Sequence, residues 1–156
     1  MSGTAIFDLD RTLTVRGCFT PFALFAAKKH PSSFISLPSI LLAASASSFG
    51  FYQRDEVKLL IWRKVFGGLS REKIEALGTE FGEIWAKNEL RQETKAVLKR
   101  HKAAGDRLVL ATAAMDIVAE PFGRSLGFDD VISTRTAWTA DGRVSGTFDG
   151  LNCHGE

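Results

Sequence analysis

Residues 4–9 (TAIFDL) form a nearly continuous apolar run with β-branched and aromatic members, broken only where acidic residues begin. A strand buried on both faces of a parallel sheet reads this way. Residues 107–111 (RLVLA) repeat the pattern, after Gly105 as a helix stop and before the polar Thr112, and 131–134 is a third candidate. Residues 92–104 and 115–126 are helix-like, the latter closing at Gly127 and expected to be split or kinked at Pro121. Strand, helix, strand, helix, strand in this order predicts a parallel sheet with right-handed crossovers. Asp141-Gly142, between β-prone runs at 137–139 and 144–148, predicts a hairpin.

Almost a hundred residues separate Leu9 from Arg107, whereas a crossover needs about a dozen. Something is inserted there. Residues 55–66 place Val57, Leu60, Ile61 and Val65 on one helical face and stop at Gly67-Gly68. Ser70 then caps a helix carrying Ile74, Leu77, Phe81, Ile84 and Trp85. The insertion therefore reads as a helical subdomain. Its residues 31–53 contain no charged side chain and include FISLPSILLAASASSFGF, so a membrane helix has to be weighed. Seven serines and the central Pro38 stand against a span, which needs roughly 20 predominantly apolar residues. The stretch suits packed or substrate-facing helices, with peripheral contact on a membrane surface as the alternative; Lys28, Lys29 and His30 would suit anionic headgroups or a solvated helix end.

The chain has 156 residues, 45% hydrophobic and 24% charged, which fits one core domain with a modest insertion. Its 20 basic and 18 acidic residues are scattered, so no basic block marks a nucleic-acid surface, and nucleic acid is not expected as a partner. Cys18 and Cys153 are far apart and lack metal-ligand spacing, which predicts two reduced thiols. Cys153-His154 is no nucleophile pair on this reading, because neighbours on one loop point apart. Two aspartates precede any long apolar run, so the first residues do not read as a secretory signal and the expected compartment is cytoplasmic.

Asp8 and Asp10 close the first apolar run two residues apart, and strand alternation would send both carboxylates to one side. In an open parallel sheet that side is the crevice beyond the carboxyl ends of the strands, where ligands bind and where Thr112 would end the second strand. Two carboxylates this close need a shared proton or a cation between them. Magnesium fits, since it takes hard oxygen ligands. An isolated pair of this kind is more often a solvated turn. The apolar strand before it, Thr12-Leu13 after it and Thr112 on a second strand point instead to a phosphate site.

FDLDRTL (7–13) matches the DxDxT signature of the haloacid dehalogenase superfamily, and LVLATAA (108–114) is similar to its second signature. EPFGRSLGFDDVISTR (120–135), DGRVSG and DGLNCHGE resemble the phosphoserine-phosphatase-like subfamily IB hydrolases. The resemblance implies an α/β fold, a Rossmann-like parallel sheet core from 1–13 and 91–156, with an inserted α-helical cap at 14–90. It implies a phosphomonoester hydrolase in which Asp8 is the nucleophile and Asp10 protonates the leaving oxygen and then activates water. Thr112 and the backbone of Ala113 would hold phosphoryl oxygens, and Mg2+ would sit on the Asp8 carboxylate and the Asp10 carbonyl.

Arg11 stands where relatives often have glycine, and Gly17 where phosphoserine phosphatases carry a cap glutamate, which makes phosphoserine a poor expectation. A small metabolite or a lipid headgroup phosphate is the expected substrate. The family's third-signature lysine and fourth-signature acidic pair are not found before Glu156. On that ground the chain alone is expected to turn over very slowly, and its unpaired sheet edge to be marginal or to pair with another copy. A non-catalytic module binding phosphate or a partner is the competing expectation, and phosphotransfer to an alcohol shares the same aspartyl phosphate.

Overall fold

A computed structural model of the chain describes residues 3–30 and 54–149. The expectations at 31–53 and for Cys153 lie outside the described residues. The elements run β1 (Thr4–Phe7), α1 (Phe19–Lys29), α2 (Arg54–Phe66), α3 (Arg71–Asn88), α4 (Gln92–Ala103), β2 (Arg107–Met115), α5 (Asp116–Leu126), β3 (Asp130–Trp138) and β4 (Val144–Asp149).

The four strands form one sheet in the order β1-β2-β3-β4. β1 runs parallel to β2 from Thr4 opposite Arg107 to Phe7 opposite Leu110, and β2 runs parallel to β3. β3 then pairs antiparallel with β4. The residues read as a short separate strand at 137–139 are in fact mostly the far end of β3, which leaves the parallel region and turns into the hairpin. Helices α4 and α5 cover the sheet face that carries Phe7 and Val131. Phe7 meets His101 of α4 edge-on at 5.9 Å and Phe128, just past α5, at 5.8 Å. Ile6 and Ile132, on the other face, are 68% and 55% exposed, and among the described strands β1 pairs with β2 only.

Pro121 does not split its segment: α5 is continuous from Asp116 to Leu126. Proline removes the N–H that would have bonded the carbonyl of Ile117, and that carbonyl faces α3. A Cβ on Gly78 would stand 2.2 Å from it, and one on Gly82 would stand 2.9 Å from Pro121 Cβ. The two glycines, one turn apart, let the helix backbones approach at the turn of α5 that contains Pro121. Ile84, placed by its periodicity on the apolar face of the same helix, is instead 40% exposed.

Helices α1, α2 and α3 share an aromatic core. Phe22 stacks on Phe66 at 5.0 Å, Trp62 lies 4.3 Å from Phe66, and Phe81 stacks on Trp85 at 5.0 Å. Such rings bury large areas and dominate the packing energy of a small bundle. The inserted helices are also fastened to the hairpin. Arg63 of α2 donates from Nε and a terminal nitrogen to the carbonyl of Gly146 at 3.1 and 2.9 Å, and the backbone N–H of Arg71 donates to the carbonyl of Gly142 at 3.0 Å. Among the described residues no helix is long and apolar enough to cross a membrane.

Candidate active site

Strand β1 ends at Phe7, one residue before the first aspartate. The two carboxylates therefore do not share a side by strand alternation, as the DxD spacing had suggested. A single wide turn brings them together: Leu13 N–H donates to Asp8 O at 3.2 Å and Thr14 N–H to Leu9 O at 3.1 Å. Leu9 and Leu13 are fully buried and anchor this turn in the core. Arg11 closes it in the left-handed region, at φ 64° and ψ 0°. That is the conformation glycine adopts without steric cost, which accounts physically for glycine being common at this position.

The turn is held from outside by the segment entering α4. Arg91 donates from a terminal guanidinium nitrogen to Arg11 O at 3.1 Å and from Nε to Thr14 O at 3.2 Å. Its backbone N–H bonds Leu13 O at 2.9 Å, which the Thr94 hydroxyl also reaches at 3.2 Å. The chain leaving the turn runs antiparallel to this segment through a bridge of Thr14 with Leu90. Val15 N–H donates to Glu89 O at 3.0 Å, and Arg16 pairs with the Glu89 carboxylate at 2.7 Å. The two ends of the insertion thus clamp the loop that carries both aspartates.

Within the turn, the Thr12 hydroxyl donates to Asp8 Oδ2 at 2.7 Å. Asp10 is partly buried and accepts the Cys18 N–H on Oδ1 at 3.0 Å. Burial raises the Asp10 carboxyl above the ordinary carboxylate value, hydrogen bonds from Cys18 oppose the rise, the Asp8 charge adds to it, and the Lys58 ammonium lowers it. Burial, and then the proximity of Asp10, push the Cys18 thiol well above its usual range, so it is an unreactive thiol in the core.

Thr112 does not terminate β2, which continues to Met115 through a register irregularity between Ala111 and Met115. The register of Phe7 with Leu110 still sets Thr112 at the sheet edge where Asp8 emerges. Thr112 is buried, and its Oγ1 accepts the Ala114 N–H at 3.1 Å within the register irregularity. The Ala113 carbonyl accepts from Lys58 Nζ at 3.1 Å and from the Thr134 hydroxyl at 3.1 Å. Lys58 comes from α2, and its ammonium also lies 5.5 Å from the centroid of the Phe19 ring.

Lys58, Arg91, Thr94 and the Cys18 backbone amide were not signalled by any motif. Lys58 looks like one of several charges on an ordinary helix. Arg91 looks like a residue preceding a helix, and Cys18 like a stray thiol whose side chain draws attention when its N–H matters. The Asp8 carboxylate and the Asp10 backbone carbonyl, carried on one turn, are hard oxygen donors of the kind a divalent cation takes as part of its shell. Among the described residues no group of three or more His, Cys, Asp or Glu side chains converges to hold a metal.

The family described as haloacid dehalogenase-like hydrolase matches residues 5–156, and the chain belongs to that family. It is 33% identical over 148 residues to the protein CicA of Caulobacter vibrioides, a match covering 94% of this chain and 65% of that protein. The chain thus spans about 65% of the length of the curated relatives it matches. Its fold is similar to that of a protein with unknown function from Bordetella pertussis Tohama I, with a TM-score of 0.78 and 23% identity over 98% of this chain and 69% of that one. It is also similar in fold to a phosphoserine phosphohydrolase-like protein from Francisella tularensis, with a TM-score of 0.60 and 19% identity over 98% of this chain and 68% of that one.

Proposed function

We propose that the chain carries the nucleophile and the acid–base group of a phosphomonoester hydrolase acting on a small metabolite or a lipid headgroup phosphate. The observation that supports this most directly is the difference between two neighbouring carboxylates. Asp8 is fixed through one oxygen by Thr12 at 2.7 Å, while Asp10 beside it is raised by burial. A nucleophile must be oriented, and a carboxyl raised by burial is better suited to give up and take back a proton.

In the first step an oxygen of Asp8 forms a bond to phosphorus and the bond from phosphorus to the leaving oxygen breaks. Asp10 passes its proton to that oxygen. In the second step Asp10 takes a proton from water as the water oxygen bonds to phosphorus, and the acyl phosphate bond breaks to regenerate the Asp8 carboxylate. Thr112 and the Ala113 N–H stand as the groups that receive phosphoryl oxygens, which requires Thr112 Oγ1 to keep its present geometry through the Ala114 bond. The Asp8 carboxylate and the Asp10 backbone carbonyl are the groups that would hold Mg2+, which when bound offsets the charge of the phosphoryl oxygens. Asp8→Asn is expected to abolish magnesium-dependent hydrolysis of p-nitrophenyl phosphate. Undiminished turnover by that variant, where the unaltered protein hydrolyses the ester measurably, would remove Asp8 from the mechanism.

A further inference from the structure

Under the hydrolase reading, on which this inference rests, Thr112 has to present its hydroxyl proton to a phosphoryl oxygen. Its Oγ1 accepts the Ala114 N–H at 3.1 Å, a bond that takes an oxygen lone pair and leaves the proton able to donate. What fixes that bond lies on β3. Strand β2 takes four steps from Ala111 to Met115 while β3 takes two, from Ile132 to Thr134. The surplus residues of β2 bulge out of the ladder, and Thr112 and Ala113 lie in the bulge. Backbone groups in a bulge lose their ladder partners, and buried ones need others. Thr134 and Thr136, both buried and two apart on one face of β3, meet the bulge there. The Thr134 hydroxyl donates to the Ala113 carbonyl at 3.1 Å. Thr136 donates from its hydroxyl to Asp116 Oδ1 at 2.5 Å and from its N–H to Oδ2 at 3.1 Å. The segment is thus pinned to one strand at its middle and at its far end.

We propose that Thr134 is a positioning residue of the phosphate site: by fixing the peptide between Ala113 and Ala114 it aims the Thr112 hydroxyl at the phosphoryl group, with Thr136 and Asp116 as the outer anchor. The Ala113 carbonyl and the Ala114 N–H belong to one planar unit. Thr134 holds the oxygen of that plane, and Thr112 Oγ1 receives its N–H. Rotation of the plane would break the bond that orients Thr112, so the grip on the oxygen is transmitted to the hydroxyl. Lys58 Nζ donates to the same carbonyl at 3.1 Å. Its long, rotatable stem can follow the carbonyl if the plane turns. A β-branched side chain is stiff at its first torsion, and Thr134 is fully buried, so it fixes what Lys58 only satisfies.

The alternative is that Thr134 only fastens β3 to β2, in which case its loss acts independently of Thr112. Isothermal titration calorimetry of orthovanadate, a mimic of the phosphoryl group in transfer, into the chain with Mg2+ separates the two. Lost folded protein lowers the stoichiometry, whereas a misdirected donor lowers the affinity. Thr112→Val and Thr134→Val are each expected to weaken binding about tenfold, the effect of one hydrogen bond to a charged group, and Thr134→Ser restores it. Beside Thr112→Val, Thr134→Val should cost nothing further, because residues that act through one another are not additive. Should Thr134→Val not fold, Thr136→Val carries the same cycle, with a loss of about threefold alone and none beside Thr112→Val. Unchanged affinity in the β3 variants, or losses that multiply in full with that of Thr112→Val, overturn the inference and leave the hydrolase reading standing. Failure of the unaltered chain to bind orthovanadate counts against the phosphate site itself, and the role of Thr134 falls with it.

Discussion

The hydroxyl of Thr12 donates a 2.7 Å hydrogen bond to Oδ2 of Asp8 across the turn that both residues share. Under the proposed reaction one oxygen of Asp8 has to line up with phosphorus, and this bond holds the other. Thr12→Val keeps the shape of the side chain and deletes the donor. A misoriented reacting group can cost up to about 10²-fold in rate, so kcat of Thr12→Val should fall by roughly that order while Thr12→Ser stays near the unaltered chain. Steady-state hydrolysis of p-nitrophenyl phosphate with magnesium reads this. Equal kcat for the two variants would show that the bond has no orienting role.

Arg11 holds a left-handed conformation at φ 64°, and its carbonyl, not its exposed side chain, receives the bond from Arg91. A non-glycine residue there costs roughly 1–2 kcal/mol, part of which glycine gives back through its freer unfolded chain. Arg11→Gly is therefore expected to raise unfolding stability by about 0.5–1 kcal/mol in a denaturant titration. A loss of stability would mean that the arginine side chain contributes something its exposure does not suggest.

Much of this was legible along the chain, and the gaps have physical causes. The apolar runs gave the positions of β1, β2 and β3, but the expectation of burial on both faces did not hold for β1 and β3, which leave Ile6 and Ile132 exposed on one face. Helix α3 was legible from Ser70 and its apolar spacing, and the DxDxT pattern singled out Asp8 and Asp10, which one turn carries. What failed was local geometry that depends on partners. The wide turn is closed by bonds to Arg91 and Thr94, about eighty residues away, and no pattern within FDLDRTL reports them. Helix α5 passes through Pro121 unbroken, and Gly78 and Gly82 of another helix pack closely against it there. Lys58 reaches the site through tertiary packing alone, and its own neighbourhood in sequence looks like any solvated helix.

The start of β2 carries a pH-dependent tie. Asp106 pairs with His101 Nδ1 at 2.8 Å and accepts the Gly3 N–H at 2.7 Å, linking the end of α4 to the beginning of β1. The His101 bond first, and then the Gly3 amide, hold the Asp106 carboxyl below its ordinary value. A carboxyl depressed in the folded state binds its proton less readily than in the unfolded chain. Its contribution is complete above the ordinary carboxylate pKa and is lost as pH falls from there through the depressed value. Asp106→Asn should lower stability at neutral pH and flatten the dependence below the carboxylate range. Thermal unfolding across an acid series tests this, and parallel curves for the two proteins would show that the tie is not linked to protonation.

The central proposal is that Asp8 receives the phosphoryl group, and the acyl phosphate it would form can be caught chemically. An aspartyl phosphate is reduced by borohydride to homoserine, which peptide mass spectrometry locates to a single position. After brief exposure to acetyl phosphate and magnesium followed by a borohydride quench, homoserine is expected at position 8 and at no other aspartate, with none formed when Thr12→Val and Asp8→Asn are combined. Homoserine at position 10, or full retention of aspartate at position 8 while phosphate is being released, would contradict the account.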